Sequence, residues 1–483
     1  MIQTIKKVTR ILTGLQMITW ILVSISISQA CPASEVQPAG IRVGVAKVDI
    51  TKREAGPVND PLYAKALVIE QGGERVVLVS IDAVAIGEIG TIRNDYLSSV
   101  RKKVADELGI SGERIVINAS HCHGTVCDDV AERTVEAIRL AKSSMVQVKI
   151  GSGMGTEDRI MENRRLRMKD GSEIDVRHAY SLPPDDLVSG IGPTDPRIGI
   201  VRFDRLDNTP LAVLYQFACH PIQGAASGGN TADLVGVASK VIEDNLGSDA
   251  IAIFFQGCGG DINPVMYKDV HHPRDATWHG NLLGLSTLQG VRKIATSEAT
   301  TIAFSQRILA LRRADLAPRI ANLEAERDRL VNGLQGTSLN LKTFLPLAIQ
   351  YKLDPEYPAY YSHRYLREKE LGKEDLQRMD VENRRNMQAY IANIQSMEAL
   401  TRTQTNLALL RKHQLDNAKA STRTIDVEVC AIRLGDWRLI TFPGELTVQI
   451  GLNLQRSFPD QSVYRLEEHT SELQSRQYLV CRL

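Results

Sequence analysis

The sequence lacks a charge excess of either sign. Its 58 Lys and Arg side chains against 57 Asp and Glu give a formal net charge of +1. Three of the basic residues, Lys6, Lys7 and Arg10, fall in an acid-free N-terminal stretch, so the rest of the chain is slightly acidic. No basic field exists to hold a nucleic-acid backbone, and nucleic acid is not an expected partner. Clustered thiols are missing too. Seven cysteines are scattered with no CxxC pair, which argues against a thiolate zinc ribbon or a thioredoxin-type site. Beyond residue 30 no run is long and apolar enough to span a bilayer. With 43% hydrophobic and 24% charged residues, the composition is that of an ordinary globular protein, not a disordered tail, a collagen-like chain or a small disulfide scaffold. The 483 residues leave room for two to four domains.

Lys6, Lys7 and Arg10 precede the apolar run Ile11–Ile27, and Ser28 and Ala30 put small residues at the −3 and −1 positions of a cut after Ala30. This is the layout of a secretory signal peptide over residues 1–30, and the chain is expected to be exported, either periplasmic or secreted. A retained anchor is the alternative, since the run is near the lower length for spanning. Cys31 follows the cut and invites lipid attachment, although Ser28 stands where a lipobox prefers leucine. An exported chain can form disulfides, but the spacing does not choose a pairing.

From Ile41 to about Ala310 strand-like and helix-like stretches alternate. Arg42–Ile50, Arg75–Ile81, Arg114–Asn118, Leu211–Phe217 and Ile251–Phe255 are β-branched or apolar runs. Ile92–Leu108, Ala131–Leu140 and Leu234–Leu246 carry apolar residues at helical spacing. The alternation predicts an α/β fold of mixed β-sheets flanked by helices. Runs as continuous as Ile251–Phe255 predict strands buried on both faces. Near Asp315 the texture becomes charged and glycine-poor, and Arg319–Leu334 and Val381–Ala418 read as long exposed helices. Between them Phe344–Tyr365 gathers tyrosines and prolines, read as the tip of a helical insertion that either packs on the body or rims a substrate site. Strand character returns at Arg423–Leu434 and Trp437–Phe442. The expected organisation is a signal peptide over 1–30, an α/β catalytic domain over 31–314, a helical insertion over 315–422 and the rest of the catalytic domain over 423–464.

Four strand ends carry the chemistry. Arg114–Asn118 runs into Ala119-Ser120-His121-Cys122-His123-Gly124; on an extended chain His121 and His123 point to the same side. Ala218-Cys219-His220-Pro221 ends a second strand, with Pro221 closing the ladder. Gln256-Gly257-Cys258-Gly259-Gly260-Asp261-Ile262-Asn263-Pro264 follows a third, and its three glycines allow unusual dihedrals and close approach. Phe442-Pro443-Gly444-Glu445 ends a fourth. Two or three neutral imidazoles and a carboxylate at strand ends are the donor set of a catalytic zinc site that keeps a position for water. His178, His271, His272, His279, His363, His413 and His469 lack such a context and read as solvated or structural.

These four motifs, in this order, resemble the neutral/alkaline (non-lysosomal) ceramidases. Asn163-Arg164 is similar to an Asn-Arg element of that family whose arginine faces substrate, and the resemblance covers about Ile41–Ala310 and Arg423–Gln455. It implies a zinc hydrolase (Zn2+) that cleaves an N-acyl amide, with His121, His220 and Glu445 as metal ligands and Arg164 at the substrate. His123 would hydrogen-bond substrate or oxyanion, and Asp261 would assist proton transfer or hold the loop. The implied partner is an N-acylated lipid or another small amide, with peripheral membrane contact. Two departures stand out. Asn263 occupies the place of the family's serine in GDxSP, which excludes a serine-based covalent step there but leaves a metal-activated water, with Asn263 as an oxyanion donor. The family also continues into a tyrosine metal ligand and an immunoglobulin-like domain. Here Glu467–Ser475 resembles a translated sequencing adapter, so residues 465–483 are expected to be non-native, the C-terminal domain to be missing, and Tyr464 and Tyr478 not to substitute for the tyrosine ligand. Two other readings stay open: a binding protein on the same scaffold, and a TIM-barrel metal amidohydrolase, which also uses an HxH.

Overall fold

The structure is a computed structural model that describes residues 40–87, 89–176, 183, 185–224, 229–247, 249–265, 275–298, 301–353, 362–458 and 462–468. The expected signal peptide, Cys31, His178, His271, His272, His469, Tyr478, Cys481 and residues 354–361 of the proline-tyrosine tip lie outside the described residues. The strands are β1 (Arg42–Asp49), β2 (Tyr63–Gln71), β3 (Glu74–Ile81), β4 (Ile115–Ala119), β5 (Val146–Thr156), β6 (Met161–Asn163), β7 (Arg165–Met168), β8 (Glu173–Asp175), β9 (Val188–Ile191), β10 (Arg197–Arg205), β11 (Pro210–Phe217), β12 (Ile251–Gln256), β13 (Ile262–Pro264), β14 (Ile302–Arg312), β15 (Thr424–Leu434), β16 (Trp437–Pro443) and β17 (Ser462–Glu468). The helices are α1 (Tyr96–Leu108), α2 (Val130–Ser143), α3 (Asp233–Leu246), α4 (Thr277–Val291), α5 (Ala317–Asn332), α6 (Leu341–Leu353), α7 (Ser362–Glu370), α8 (Asp375–Lys419) and α9 (Val448–Arg456). The fold is mixed α/β.

Two compact units divide the chain. One takes in the described residues of Met1–Ile174, Val188–Arg312 and Thr424–Leu483; the other takes in those of Asp175–Leu187 and Arg313–Arg423. The first holds an eight-stranded sheet of order β12-β11-β10-β5-β1-β2-β3-β4 and a four-stranded sheet of order β14-β15-β16-β17. In the larger sheet β3–β4 and β11–β12 are parallel and β1–β2, β2–β3, β5–β10 and β10–β11 antiparallel. A closed ring of eight parallel strands is thereby excluded, and the TIM-barrel reading with it.

Continuous apolar runs occur because both faces of this sheet are buried. Val77 and Val79 of β3 pack with α1 and α2 through Val100, Val104 and Ile138, whereas Val76 and Leu78 meet a core shared with Phe203, Leu214 and Phe255. On the other half, Val213 and Tyr215 meet α3 and α4 through Leu234, Ala238 and Leu283. The shared core also contains Cys430, Ile432, Trp437 and Leu439 of β15 and β16. β12, at one edge of the sheet, is sealed by side chains from the opposite end. Lys65 Nζ donates to Ala252 O (3.0 Å), Ser80 Oγ donates to Phe254 O (2.7 Å), and Gln256 N donates to Asn118 Oδ1 (3.4 Å). An exposed edge becomes a satisfied one, and the C-terminal ends of β4 and β12 come to lie side by side.

β17 pairs parallel with β16 from Trp437↔Ser462 to Pro443↔Glu468. Backbone pairing thus runs a few residues into the expected adapter segment, whose remainder, 469–483, lies outside the described residues. In the second unit α8 is a single helix of 45 residues. The sequence places α6 in the proline-tyrosine tip, yet it is helical through Pro346. Among the described cysteines no disulfide forms; Cys122, Cys219, Cys258 and Cys430 are buried thiols.

Candidate metal centre

The site is assembled from four turns. After β4, Ser120 N donates to Ile81 O and His121 N to Ala83 O, so the histidine turn is stitched to the loop leaving β3. His121 takes a φ of +71°, a left-handed conformation that costs a non-glycine residue energy and persists only where its surroundings fix it. The two histidine rings do lie near each other, but strand alternation is not the reason: the strand ends at Ala119, and the left-handed turn, not the pleat, aims these rings. His121 is buried and His123 exposed, with ring centroids 6.0 Å apart.

His220 lies three residues beyond β11. Its backbone N–H and its Nδ1 both donate to Ile262 O, at 3.0 and 2.9 Å, and its ring meets that of His121 edge to face at 4.7 Å. Glu445 follows Gly444, whose φ of +146° makes the turn out of β16. The glycine loop closes the arrangement: Gly260 N donates to Leu446 O at 2.8 Å. Close approach is what glycine supplies at residue 260, because a Cβ there would sit 2.8 Å from Leu446 O and 3.3 Å from Glu445 Cγ.

Ligand atoms of His121, His220 and Glu445 lie within 4.8 Å of one another, and all three residues are buried. The donor chemistry fits a cation. His121 Nδ1 meets Val84 O at 2.9 Å, and His220 Nδ1 meets Ile262 O. A carbonyl can only accept, so both Nδ1 atoms carry the proton and the lone pairs sit on Nε2. Metal-binding imidazoles are commonly oriented this way, through the nitrogen that does not bind. His220 Nε2 is 2.7 Å from Glu445 Oε1; two acceptors at that separation repel unless a second proton or a shared cation stands between them. Burial by itself would raise the Glu445 carboxyl, but His220, His121 and Arg164 together hold it well below the usual carboxylate range.

The remaining predicted residues surround this cluster in different ways. Arg164 is 5% exposed. Its guanidinium donates to Gly260 O, reaches Asn263 Oδ1 at 3.5 Å and stands 3.8 Å from Glu445 Oε1. It links the glycine loop to the carboxylate from a buried position. Asp261 Oδ1 accepts Val448 N–H at 2.8 Å, at the start of α9, and Oδ2 accepts Asn163 Nδ2 at 3.3 Å. Of its two expected roles, these bonds belong to holding the loop. Burial pushes its carboxyl up, against the Val448 N–H and Arg165. Asn263 is buried in β13, which pairs with β6. Protein packing and His220 lower the His123 pKa below the ordinary imidazole value. His279 is buried with Nε2 at 3.1 Å from Val265 O, and burial lowers its pKa too. Sequence reasoning missed the orienting carbonyls of Val84 and Ile262, which no residue type announces.

A mixed α/β fold with a buried His-His-Glu cluster at converging strand ends defines a protein with a candidate metal centre. Comparison with known structures then narrows the fold. No family model matches the chain, and no curated protein matches it. Among solved structures, the neutral ceramidase from Pseudomonas aeruginosa superposes with a TM-score of 0.52 at 14% identity, over 89% of this chain and 67% of that one. A structure described as ceramidase complexed with C2 gives 0.51 at 13% identity, over 87% and 66%. The chain spans about two thirds of their length, and at these identities the likeness is one of fold.

Proposed function

We propose that the chain is a zinc-dependent hydrolase of ceramidase type that cleaves the N-acyl amide of a lipid or related small molecule. The observation that carries this reading is the buried His121–His220–Glu445 cluster, with both imidazoles presented through Nε2 by backbone carbonyls, on a fold like that of neutral ceramidases. Zinc, if bound there, would supply an activated water and a Lewis acid for the amide carbonyl. His121, His220 and Glu445 are the residues that would hold it, with their rings fixed by Val84 O and Ile262 O. Arg164 offsets the buried charge of Glu445 and joins it to the glycine loop, while Asp261 pins that loop to α9. His123, exposed beside the cluster and with its pKa lowered by packing and by His220, would hydrogen-bond the substrate or the developing oxyanion. Asn263, as an amide, contributes no nucleophile at that position, which leaves a metal-activated water available for the attack.

A second reading, a binding protein on the same scaffold, is favoured by Asn263 itself, whose Oδ1 faces Arg164. One experiment separates the two: purify the protein, quantify bound metal, and assay fatty-acid release from a panel of N-acyl substrates. Stoichiometric zinc with hydrolysis abolished in His220→Ala supports the hydrolase; bound zinc without turnover on the whole panel supports the binding protein. The proposal includes export with cleavage after Ala30, checked by N-terminal sequencing of the mature chain.

A further inference from the structure

His121 follows the end of β4 and His220 the end of β11, and these strands are not neighbours in the sheet. No ladder between them therefore sets the spacing of the two histidine turns. A third segment, Asn230–Asp233 at the start of α3, holds both. Four residues after His121, the Thr125 N–H donates to Asn230 Oδ1 at 2.7 Å, and Asn230 Nδ2 donates to Thr125 O at 2.9 Å. Three and four residues after His220, the Gln223 N–H donates to Asp233 Oδ1 at 3.2 Å and the Gly224 N–H to Oδ2 at 2.6 Å.

The segment is itself fixed. Thr231 Oγ1 donates to Asp60 Oδ2 and accepts the Asp233 N–H at 2.8 Å, while the Ala232 N–H donates to Asp60 Oδ1 at 2.8 Å. A Cβ at Gly124 would stand 2.9 Å from Thr231 O, so the segment packs directly on the glycine after His123. Asp233 is fully buried with a φ of +59°, a left-handed conformation that persists only where the surroundings impose it. Starting a helix does not require this, because a capping residue is ordinarily extended. The unusual backbone instead brings the carboxylate over Gln223 and Gly224.

We propose that Asn230 and Asp233 are positioning residues: the short segment they bound is a brace that sets the separation of the His121 and His220 turns. Its bearing on chemistry rests on the metal-centre reading, but the coupling of the two turns can be read without metal.

The test compares the metal-free full chain with Asp233→Asn and Asn230→Asp by hydrogen exchange and mass spectrometry. Asparagine tolerates a left-handed backbone as aspartate does, so Asp233→Asn changes the hydrogen bonding alone, setting an NH2 group against a backbone N–H. Asn230→Asp likewise sets an oxygen against Thr125 O. Each variant is read at the turn its own side chain does not touch. Asp233→Asn should speed exchange over residues 120–126 about ten-fold or more, and Asn230→Asp should do so over 220–224. Tyr215→Phe is the control: it removes bonds to Val235 O and Ser239 Oγ on the same helix, at 3.0 and 2.9 Å, and should leave both stretches within about two-fold of wild type. Cobalt(II) is then titrated into each protein. Affinity should fall about ten- to hundred-fold in both brace variants, with a changed visible spectrum of the bound ion, and neither should change in Tyr215→Phe. Faster exchange confined to the turn that the altered side chain touches overturns the proposal, as do brace variants that bind cobalt as tightly as wild type. If wild type takes up no cobalt, the metal-centre reading fails and the exchange data still decide the brace.

Discussion

Gly260→Ala is the substitution whose consequence can be worked most directly from the structure. The added methyl would stand 2.8 Å from Leu446 O, 2.9 Å from Leu446 C and 3.3 Å from Glu445 Cγ. Two of these are backbone atoms, which cannot rotate aside. Restoring ordinary contact at about 3.5 Å requires the Glu445 turn and the glycine loop to part by roughly half an ångström or more. That motion strains or breaks the 2.8 Å bond from Gly260 N to Leu446 O and carries Glu445 away from His220. Overpacking costs about 1–3 kcal/mol, and the weakened buried hydrogen bond about 1 more. The expected loss of stability is therefore about 2–4 kcal/mol, with zinc affinity lowered about ten-fold or more, as when groups supporting metal ligands are disturbed. Urea unfolding of the metal-free chain measures the first quantity, and competition with a chromophoric chelator measures the second. Gly190→Ala is the control. It sits in β9 without a positive φ, and a methyl added there would meet nothing within 4 Å, so it should change neither quantity beyond about 0.5 kcal/mol. A folded Gly260→Ala protein with wild-type stability and zinc affinity would refute the claim that the glycine is there for close approach to the carboxylate turn.

Three more outcomes follow from the same geometry. His220→Ala should abolish zinc binding and, by leaving Glu445 buried without its nearest partner, destabilise the metal-free chain by about 3–5 kcal/mol; a chelator should lower the melting temperature of wild type but not of the variant. His123→Ala should keep zinc, measured by metal analysis, while hydrolysis falls roughly a hundred- to thousand-fold. Glu428 is bound by both Arg101 terminal nitrogens, at 3.0 and 2.6 Å; burial alone would raise its carboxyl, but Arg101 holds it below its ordinary 4.5. A depressed carboxylate stabilises the fold above its unfolded pKa and ceases to do so as pH falls through the folded value. Glu428→Gln should thus lose about 1.5–3 kcal/mol near neutrality, with the gap closing below pH 4.5 in pH-resolved denaturation.

The core strands were legible because burial on both faces writes itself as unbroken apolar runs. Ile251–Phe255 and Leu211–Phe217 fall inside β12 and β11, whose side chains pack alternately on helices and on the shared core. β5 was not legible. Gly151, Gly153 and Gly155 interrupt its apolar pattern and lower its strand propensity. Their reason is tertiary: a Cβ at Gly151 would lie 2.2 Å from Ala295 O, and one at Gly290 in α4 would touch the Gly155 backbone at 3.3 Å. No local pattern carries that information. α6 escaped for the opposite reason. Pro346 and the neighbouring aromatics signal a tip, but the packing of Phe344 and Tyr351 on α8 carries the helix through the proline.

At the site, sequence could name the donors but not what aims them. His121, His220 and Glu445 are recognisable because imidazole and carboxylate at strand ends are chemically unusual. The groups that orient the two imidazoles as metal ligands would be oriented are Val84 O and Ile262 O. Those carbonyls belong to residues whose side chains suggest nothing, and they reach the rings only because β3 runs beside β4 and the glycine loop folds back across the end of β11. The same holds for the left-handed turn at His121: a backbone cost at one residue is tolerated because the His121 N–H and Nδ1 are both held by the loop after β3. Metal affinity in this chain should therefore be as sensitive to the packing under residues 82–87 and 257–262 as to the ligands themselves.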